Sequence, residues 1–373
     1  MIASIEAGPW MSLNDIERRL TMVSEIGDHI TLRVAAGPGG ALLNDVWAAI
    51  LCGTVCRATN ARVVFTDLDE RKRSNVHFEN SLAGLTCTSI ATSIQSNEGT
   101  PLEGPALRQR IMLDNEGLVS PDSDDSQILV EFDTDYPVAI RFQQRNGARA
   151  ESRSYRRRFE NLVLEFRKKL DSGALRRGDD GAVKEGGAGE VGRFLAELHE
   201  NGFQHGSRGT NGAASGTRFF RMCTHSASSP GELLERCKAF PQLSHYVDRT
   251  FRRHDSVGLV EASVSDFGLG IVDAFQTSPA GLGDKVDRAE LLLDGLIYGR
   301  LTSKSNDKSA GLGIQKALDA ARSMQAFVSL RTGEFWLTAS FLPELPDARL
   351  TLLGTGSHPP VAGTHWQIFW PQP

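Results

Sequence analysis

Residues 197–206 of this 373-residue chain read ELHENGFQHG, and they end a segment with clear helical periodicity. The opposite faces of the predicted helix differ in character. Glu197, Asn201 and His205 are four residues apart, so they lie along one line of the helix. The other face is predicted to be buried, with apolar or small residues at helical spacing: Val191, Phe194, Leu195, Leu198 and Gly202.

The polar line suits the chemistry of a magnesium-bound phosphate. An Asn side-chain oxygen is a good ligand for Mg²⁺, which takes few protein ligands and fills its shell with phosphates and water. A carboxylate one turn away can orient or deprotonate a water molecule that attacks a γ-phosphate. A polar helix face is more often simply solvated, so this interpretation depends on two further motifs downstream.

The second motif is DFGLG, residues 266–270, which follows a predicted strand at 256–265. At the end of a strand, the Asp266 carboxylate can accept a hydrogen bond from an exocyclic amine such as adenine N6. A buried carboxylate without that partner would cost roughly a few kcal/mol, which makes the contact selective. Gly268 and Gly270 let the backbone turn sharply and approach the base.

The third motif is GLGI, residues 311–314, which opens a predicted helix at 315–324. The free N–H groups and the positive dipole end of such a helix suit phosphate oxygens. The segment before it, residues 277–310, is long and polar, which is typical of a lid over a site. Lys304 in this segment either contacts a phosphate or is exposed to solvent, and the same two alternatives hold for Lys308.

These motifs, in this order, resemble the ATP-binding domain of the GHKL superfamily, which includes gyrase, heat-shock chaperones, histidine kinases and mismatch-repair ATPases. The resemblance covers about residues 187–373 and is nearest to the histidine-kinase and anti-sigma-kinase branches. The ending GTHWQIFWP, residues 363–371, is similar to the closing strand of the family. The resemblance implies an α/β sandwich, with helices on one face of a mixed sheet, that binds ATP and Mg²⁺.

The resemblance also implies roles for individual residues. Glu197 takes the position of the water-activating carboxylate, Asn201 that of the Mg²⁺ ligand, and Asp266 that of the adenine-binding aspartate. The predicted nucleotide-binding residues also include His205, Gly268, Gly270, Gly311, Leu312, Gly313 and Thr364, and Lys304 where it contacts a phosphate.

Three functions stay open at this point. The expected one is an ATPase in which hydrolysis, driven by Glu197, switches the conformation of the chain or of a protein partner. The second is a kinase that phosphorylates Ser, Thr or His of a partner. Upstream of residue 187 only His29 and His77 exist, and neither lies in a convincing dimerisation helix, which counts against histidine autophosphorylation. The third is an ATP sensor without turnover. A nucleotide-dependent homodimer is implied by the resemblance alone.

The chain ahead of this domain predicts a smaller α/β unit, residues 1–145, with a sensory or interaction role. Residues 146–186 are predicted to be a connector, with a basic amphipathic helix at 154–170 and a glycine-rich linker. Such a helix packs its apolar face on a domain, or it contacts nucleic acid, a membrane or an acidic partner. The elements expected in the first unit are strands at 30–35 and 61–68, helices at 41–58 and 81–94, and closing strands at 127–132 and 138–142.

Composition restricts the remaining function classes. A net charge of −5 and a pI of about 6.0 give no general case for nucleic acid, which leaves only the basic helix as a contact. No apolar run approaches the roughly 18 to 20 residues that span a bilayer, so we expect no membrane association. The start of the chain lacks the pattern of a signal peptide. Five scattered cysteines predict reduced thiols and a cytoplasmic location.

Overall fold

The computed structural model places two β-sheets and the helices that pack on them. The residues it describes are 3–8, 10–26, 30–35, 44–66, 81–102, 126–133, 159–161, 163–164, 186–205, 216–252, 258–276, 287–297, 312–353 and 358–371. The glycine-rich turn at 37–40 and the strand expected at 138–142 lie outside this set. No helix among the described residues has both the length and the apolar character that crossing a membrane requires.

The first sheet is mixed and belongs to the N-terminal part of the chain. Its strands, in spatial order, are β1 (Ala3–Ala7), β2 (Ile30–Val34), β3 (Arg62–Phe65), β4 (Ser93–Ser96) and β5 (Pro101–Leu102). The first four are parallel, whereas β5 runs antiparallel to β4. The helices of this part are α1 (Leu13–Ile26), α2 (Asn44–Ala58) and α3 (Leu82–Ile90).

The expected strand, helix and strand of residues 30–68 are confirmed as β2, α2 and β3. The helix expected at 81–94 begins as predicted, because the Ser81 side chain accepts a hydrogen bond from the Gly84 N–H and caps it. It ends early, however, since Ala91 has an extended backbone (φ −64°, ψ 140°) and leads into β4. The first strand and helix α1 were not anticipated.

Within the described residues, the second sheet has seven strands in the order β11-β10-β9-β12-β8-β7-β6. They are β6 (Ser126–Asp133), β7 (Gly216–Ser226), β8 (Gly258–Asp266), β9 (Phe327–Gly333), β10 (Phe335–Ser340), β11 (Thr351–Leu352) and β12 (Val361–Pro371). Every neighbouring pair is antiparallel. The mixed sheet expected here is therefore wrong for the described strands. Strand β6 joins this sheet although it lies within residues 1–145; the division of the chain into domains stays a prediction.

Helices cover both faces of the second sheet, whereas helices on one face were expected. The remaining helices are α4 (Gly186–His205), α5 (Pro230–Cys237), α6 (Pro241–Phe251), α7 (Ile271–Gln276), α8 (Arg288–Ile297) and α9 (Leu312–Ser323). Helices α4 and α9 share one core with the Phe220 side of β7, and α2, α5 and α6 share another with the Phe219 side. Two consecutive apolar side chains on a strand point to opposite faces, so both faces need a cover.

Helix α2 connects the two sheets. Every residue from Val46 to Val55 is buried, as expected for a helix enclosed on all sides. The Thr54 hydroxyl accepts a hydrogen bond from the Ala362 N–H of β12 at 3.1 Å, and the Trp47 ring lies 4.8 Å from that of Trp336. The N-terminal part is therefore packed against the second sheet through α2.

The basic segment predicted at 154–170 is described at 159–161 and 163–164, where it is helical. Phe159 and Val163 are buried in the core that contains α4. This agrees with a helix whose apolar face packs on a domain. Leu162 and Phe166, the other members of the expected apolar face, lie outside the described residues.

Candidate functional site

The three sequence motifs meet where α4 and α9 pack together beside the end of β8. A Cβ atom placed on Gly313 would lie 3.1 Å from Glu197 Oε2 and 3.2 Å from Asn201 Nδ2. A Cβ placed on Gly202 would lie 3.7 Å from Asp266 Oδ2. The motif at 197–206 thus lies close to the motif at 311–314 and to the motif at 266–270, although the three are far apart in the chain.

The apolar periodicity that predicted α4 is confirmed, since Val191, Phe194, Leu195, Leu198 and Gly202 are all buried. This burial turns the line of Glu197 and Asn201 towards α9. Asn201 Nδ2 is buried and has no hydrogen-bond partner within the described part of the chain. A buried amide N–H without a hydrogen-bond partner lowers the free energy of unfolding by about 1–3 kcal/mol. A bound ligand that accepts this hydrogen bond would remove the cost.

Lys316 is a residue of this cluster that the sequence analysis missed. Its Nζ atom lies 3.9 Å from Glu197 Oε1, and both side chains are partly exposed. It stands one helical turn after Gly313, so the helical period of α9 was a signal that could have identified it. An ammonium group at this position adds positive charge beside the first turn of α9.

Asp266 ends β8 as a buried acid, with only 6% of its surface exposed. Its Oδ1 atom accepts a hydrogen bond from the Gly268 N–H at 3.0 Å. Burial raises the pKa of Asp266 to about 6, although Gly268, Arg218 and the Thr364 backbone act in the opposite direction. A buried acid with a strongly shifted pKa, at a point where motifs converge, is typical of a functional position.

The backbone around Asp266 is built on glycine. Gly270 and Gly363 have φ values of +81° and +84°, which other residues rarely adopt. A Cβ on Gly363 would lie 2.0 Å from the Asp266 carbonyl oxygen, so β12 approaches the turn as closely as a chain can. The Gly-Thr pair of the closing strand therefore supports the turn that holds Asp266.

Two threonine hydroxyls line the same turn. Thr332 Oγ1 accepts a hydrogen bond from the Ile271 N–H at 3.0 Å and lies 3.5 Å from Thr364 Oγ1. Thr364 was expected at this place. Thr332 was not, because it arrives through the pairing of β9 with β12, for which no local sequence signal exists.

The structure brings seven of the predicted site residues into one region: Glu197, Asn201, Asp266, Gly268, Gly270, Gly313 and Thr364. His205 and Leu312 lie in α4 and α9, but their side chains are outside the described set. Lys304, Lys308 and Gly311 lie outside the described residues altogether.

The predicted lid is described only at residues 287–297, which contain α8. Arg288 connects this helix to its surroundings: its Nη2 atom lies 2.8 Å from Asp273 Oδ1, and its Nε atom lies 2.7 Å from Glu334 Oε1. Leu292 and Leu296 are buried in the core shared with α4 and α9. Any opening of this helix has to break these contacts.

Comparison with known proteins adds no relative: no protein-family model matches the chain, and no curated protein is significantly similar to it. The resemblance to the GHKL superfamily therefore stays a prediction that rests on the motifs and on the site they build.

Proposed function

We propose that this chain binds Mg²⁺-ATP between α4, α9 and the end of β8, and hydrolyses it to drive a change of conformation. The observation that carries the proposal is the convergence of the motifs. A Cβ placed on Gly313 would stand beside the Glu197 and Asn201 side chains, and one placed on Gly202 would stand beside Asp266 Oδ2. The three motifs therefore border one region. The adenine base of ATP would then bind at one end of this site and its phosphates at the other.

The Asp266 end suits adenine. With Oδ1 held by the Gly268 N–H, Oδ2 is the atom that would accept a hydrogen bond from the adenine N6 amine. Gly202 of α4 borders that oxygen, since a Cβ placed on it would lie 3.7 Å away. Guanine carries a carbonyl oxygen at the corresponding position, and an acceptor facing a buried carboxylate is rejected strongly. The proposal therefore includes preference for ATP over GTP.

The α9 end suits the phosphates. Helix α9 begins at Leu312, so the N–H groups of its first turn have no partner within the helix, and Gly313 in that turn stands beside Asn201. The positive dipole end and the nearby Lys316 favour an anion there. The Asn201 side-chain oxygen would bind Mg²⁺, and phosphate oxygens and water would complete the metal's shell.

Glu197 would act as the base. Its carboxylate orients a water molecule and accepts a proton from it as the water oxygen attacks the γ-phosphorus, while the bond to the β–γ bridging oxygen breaks and ADP leaves. Lys316 Nζ lies 3.9 Å from Glu197 Oε1, so a positive charge stands beside this carboxylate. The same geometry can deprotonate a hydroxyl of a protein partner, which would make the protein a kinase.

The test is a single-turnover and steady-state assay with γ-labelled ATP and Mg²⁺, following free phosphate and protein-bound label. Glu197→Ala is compared with wild type and with Glu190→Ala, a carboxylate about two turns earlier on α4 that faces Arg193 instead. We expect Glu197→Ala to bind ATP but to lose at least about 100-fold in phosphate release, the lower range for general-base catalysis. Glu190→Ala should behave as wild type.

Other outcomes separate the alternatives. Label retained on the protein or on a partner would indicate a kinase, and bound ATP without turnover in wild type would indicate a sensor. Equal turnover in Glu197→Ala and wild type would remove Glu197 as the base. Failure of the wild-type protein to bind ATP at all would contradict the proposal as a whole.

A further inference from the structure

A second cluster of chemically reactive side chains lies on the other face of the second sheet. Cys223 on β7 is directly opposite Glu261 on β8. His225 follows Cys223 by two residues, so it projects from the same face. This is the face that packs on α2, α5 and α6, whereas Asp266 belongs to the α4 face. The cluster is therefore separate from the proposed ATP site.

The three side chains converge on one point. Cys223 Sγ lies 3.4 Å from His225 Nε2 and 3.5 Å from Glu261 Oε2, and Nε2 lies 2.7 Å from Oε2. Within the described residues, this is the cluster of His, Cys, Asp or Glu side chains whose ligand atoms lie close enough together to hold one ion.

These distances match the edges of a metal coordination shell. A tetrahedral Zn²⁺ with bonds of about 2.3 Å to sulfur and about 2.0 Å to nitrogen and oxygen separates sulfur from either atom by about 3.5 Å. The same geometry separates nitrogen from oxygen by about 3.3 Å. Both sulfur distances already agree. Only the His225–Glu261 separation would have to widen, by about 0.6 Å.

The arrangement differs from that of a nucleophilic triad. In a triad the imidazole uses one ring nitrogen for the nucleophile and the other for the orienting carboxylate. Here the same Nε2 atom of His225 faces both the Cys223 thiol and the Glu261 carboxylate. The ring therefore does not bridge the two groups through separate nitrogens, and the Sγ, Nε2 and Oε2 atoms all lie within 4.8 Å of one another.

The surroundings hold the Glu261 carboxylate in place for this purpose. Its Oε1 atom accepts hydrogen bonds from Ser263 Oγ at 3.1 Å and from Gln367 Nε2 at 3.4 Å. The Oε2 atom faces Cys223, His225 and Arg221 Nη1. Outer partners of this kind fix the orientation of ligands around a bound metal.

The charge of the cluster suits a divalent cation. Arg221 lies 3.5 Å from Glu261 Oε2 and 3.2 Å from Asp45 Oδ2. A Cys223 thiolate, Glu261 and Asp45 together with Arg221 carry a net charge of −2, which one divalent ion and a neutral imidazole bring to zero.

We propose that Cys223, His225 and Glu261 bind one Zn²⁺ ion through Sγ, Nε2 and Oε2. Thiolate and imidazole select Zn²⁺ over the hard cations Mg²⁺ and Ca²⁺, so the metal differs from the one that ATP would bring. Three protein ligands leave a fourth position for water or another small ligand. Binding joins β7 to β8 and, through Arg221 and Asp45, reaches the start of α2.

The experiment uses the full-length chain, freed of metal with a chelator and titrated with Co²⁺ as a spectroscopic substitute. We expect a sulfur-to-cobalt charge-transfer band that saturates at one ion per chain and disappears when Zn²⁺ is added. Cys223→Ala should lose the band. Cys237→Ala is the matched control, because this buried thiol lies in the same core but outside the cluster.

His225→Gln provides a second ligand test. Loss of an outer partner costs roughly 10- to 100-fold in metal affinity, so loss of a ligand should lower Zn²⁺ affinity by more than about 100-fold. If Cys223→Ala fails to fold, zinc-edge X-ray absorption of the Zn²⁺-loaded wild-type protein decides instead: it should show one sulfur neighbour at about 2.3 Å and nitrogen or oxygen neighbours at about 2.0 Å. A missing band in wild type, an unchanged band in Cys223→Ala, or a zinc-edge spectrum without a sulfur neighbour would overturn the proposal.

Discussion

Replacement of Asp266 by Asn should stabilise the nucleotide-free protein and abolish ATP binding at the same time. The folded protein holds this carboxyl with a pKa of about 6, against an ordinary value of 3.8. The folded state therefore binds the proton more tightly than the unfolded state does. Stability associated with Asp266 is fully present below about pH 4 and is lost as the pH rises through 6.

The size of this loss follows from the two pKa values. A difference between 3.8 and about 6 corresponds to about 3 kcal/mol of unfolding free energy above pH 6. An Asn at this position has no charge to desolvate, and its oxygen can still accept the Gly268 N–H. Because Asp266 is 94% buried (6% exposed), solvent screening removes little of the effect. The figure is an upper value, since the amide group also needs a partner.

The assay is urea unfolding of wild type and Asp266→Asn between pH 4 and pH 8, without nucleotide, with ATP binding measured by calorimetry on the same samples. We expect equal stability near pH 4, a growing advantage for Asn up to about pH 6, and a plateau above it. Asp319→Asn is the control, because that side chain is exposed and its pairing with Arg322 contributes little.

A stability difference that does not change with pH would refute the assigned pKa. An Asn variant that is less stable than wild type at pH 8 would do the same. Normal ATP binding by Asp266→Asn would remove the adenine assignment, and with it the reason for retaining a destabilising acid at this place.

Two further predictions concern glycines. Gly313→Ala should keep the melting temperature near that of wild type but weaken ATP binding at least about 10-fold. The reason is that the added Cβ would stand 3.1 Å from Glu197 Oε2. Unchanged ATP affinity in calorimetry would contradict the placement of phosphate beside Gly313. Gly363→Ala should lower the unfolding free energy by roughly 2–4 kcal/mol. The φ of Gly363 is +84°, and an added Cβ would overlap the Asp266 carbonyl oxygen. An unaltered denaturation midpoint would show that β12 does not approach the turn so closely.

Local chemistry made part of this protein predictable. Helix α4 was foreseen residue by residue because the 3.6-residue period depends only on neighbours along the chain, and its burial then aimed Glu197 and Asn201 at α9. The strand that ends in Asp266 and the glycine turn after it were foreseen for the same reason. Lys316 was also within reach of that logic.

Other features had no local signal. Cys223 and Glu261 are 38 residues apart, and their meeting depends on the register of β7 against β8. Thr332 reaches Thr364 through the pairing of β9 with β12, and the direction of these strands made the sheet antiparallel where a mixed sheet was expected. Strand pairing is decided by long-range contacts and packing, which local propensity does not encode.

By itself, therefore, the sequence determined which side chains share a helix face, where strands end in an acid, and where glycine permits a turn. Only the tertiary structure decided that α2 is enclosed between two sheets, that both faces of the second sheet are covered, and that Cys223, His225 and Glu261 meet at one point. The physical reason is distance along the chain: periodicity and turn chemistry act over a few residues, whereas burial and strand register are settled by the whole fold at once.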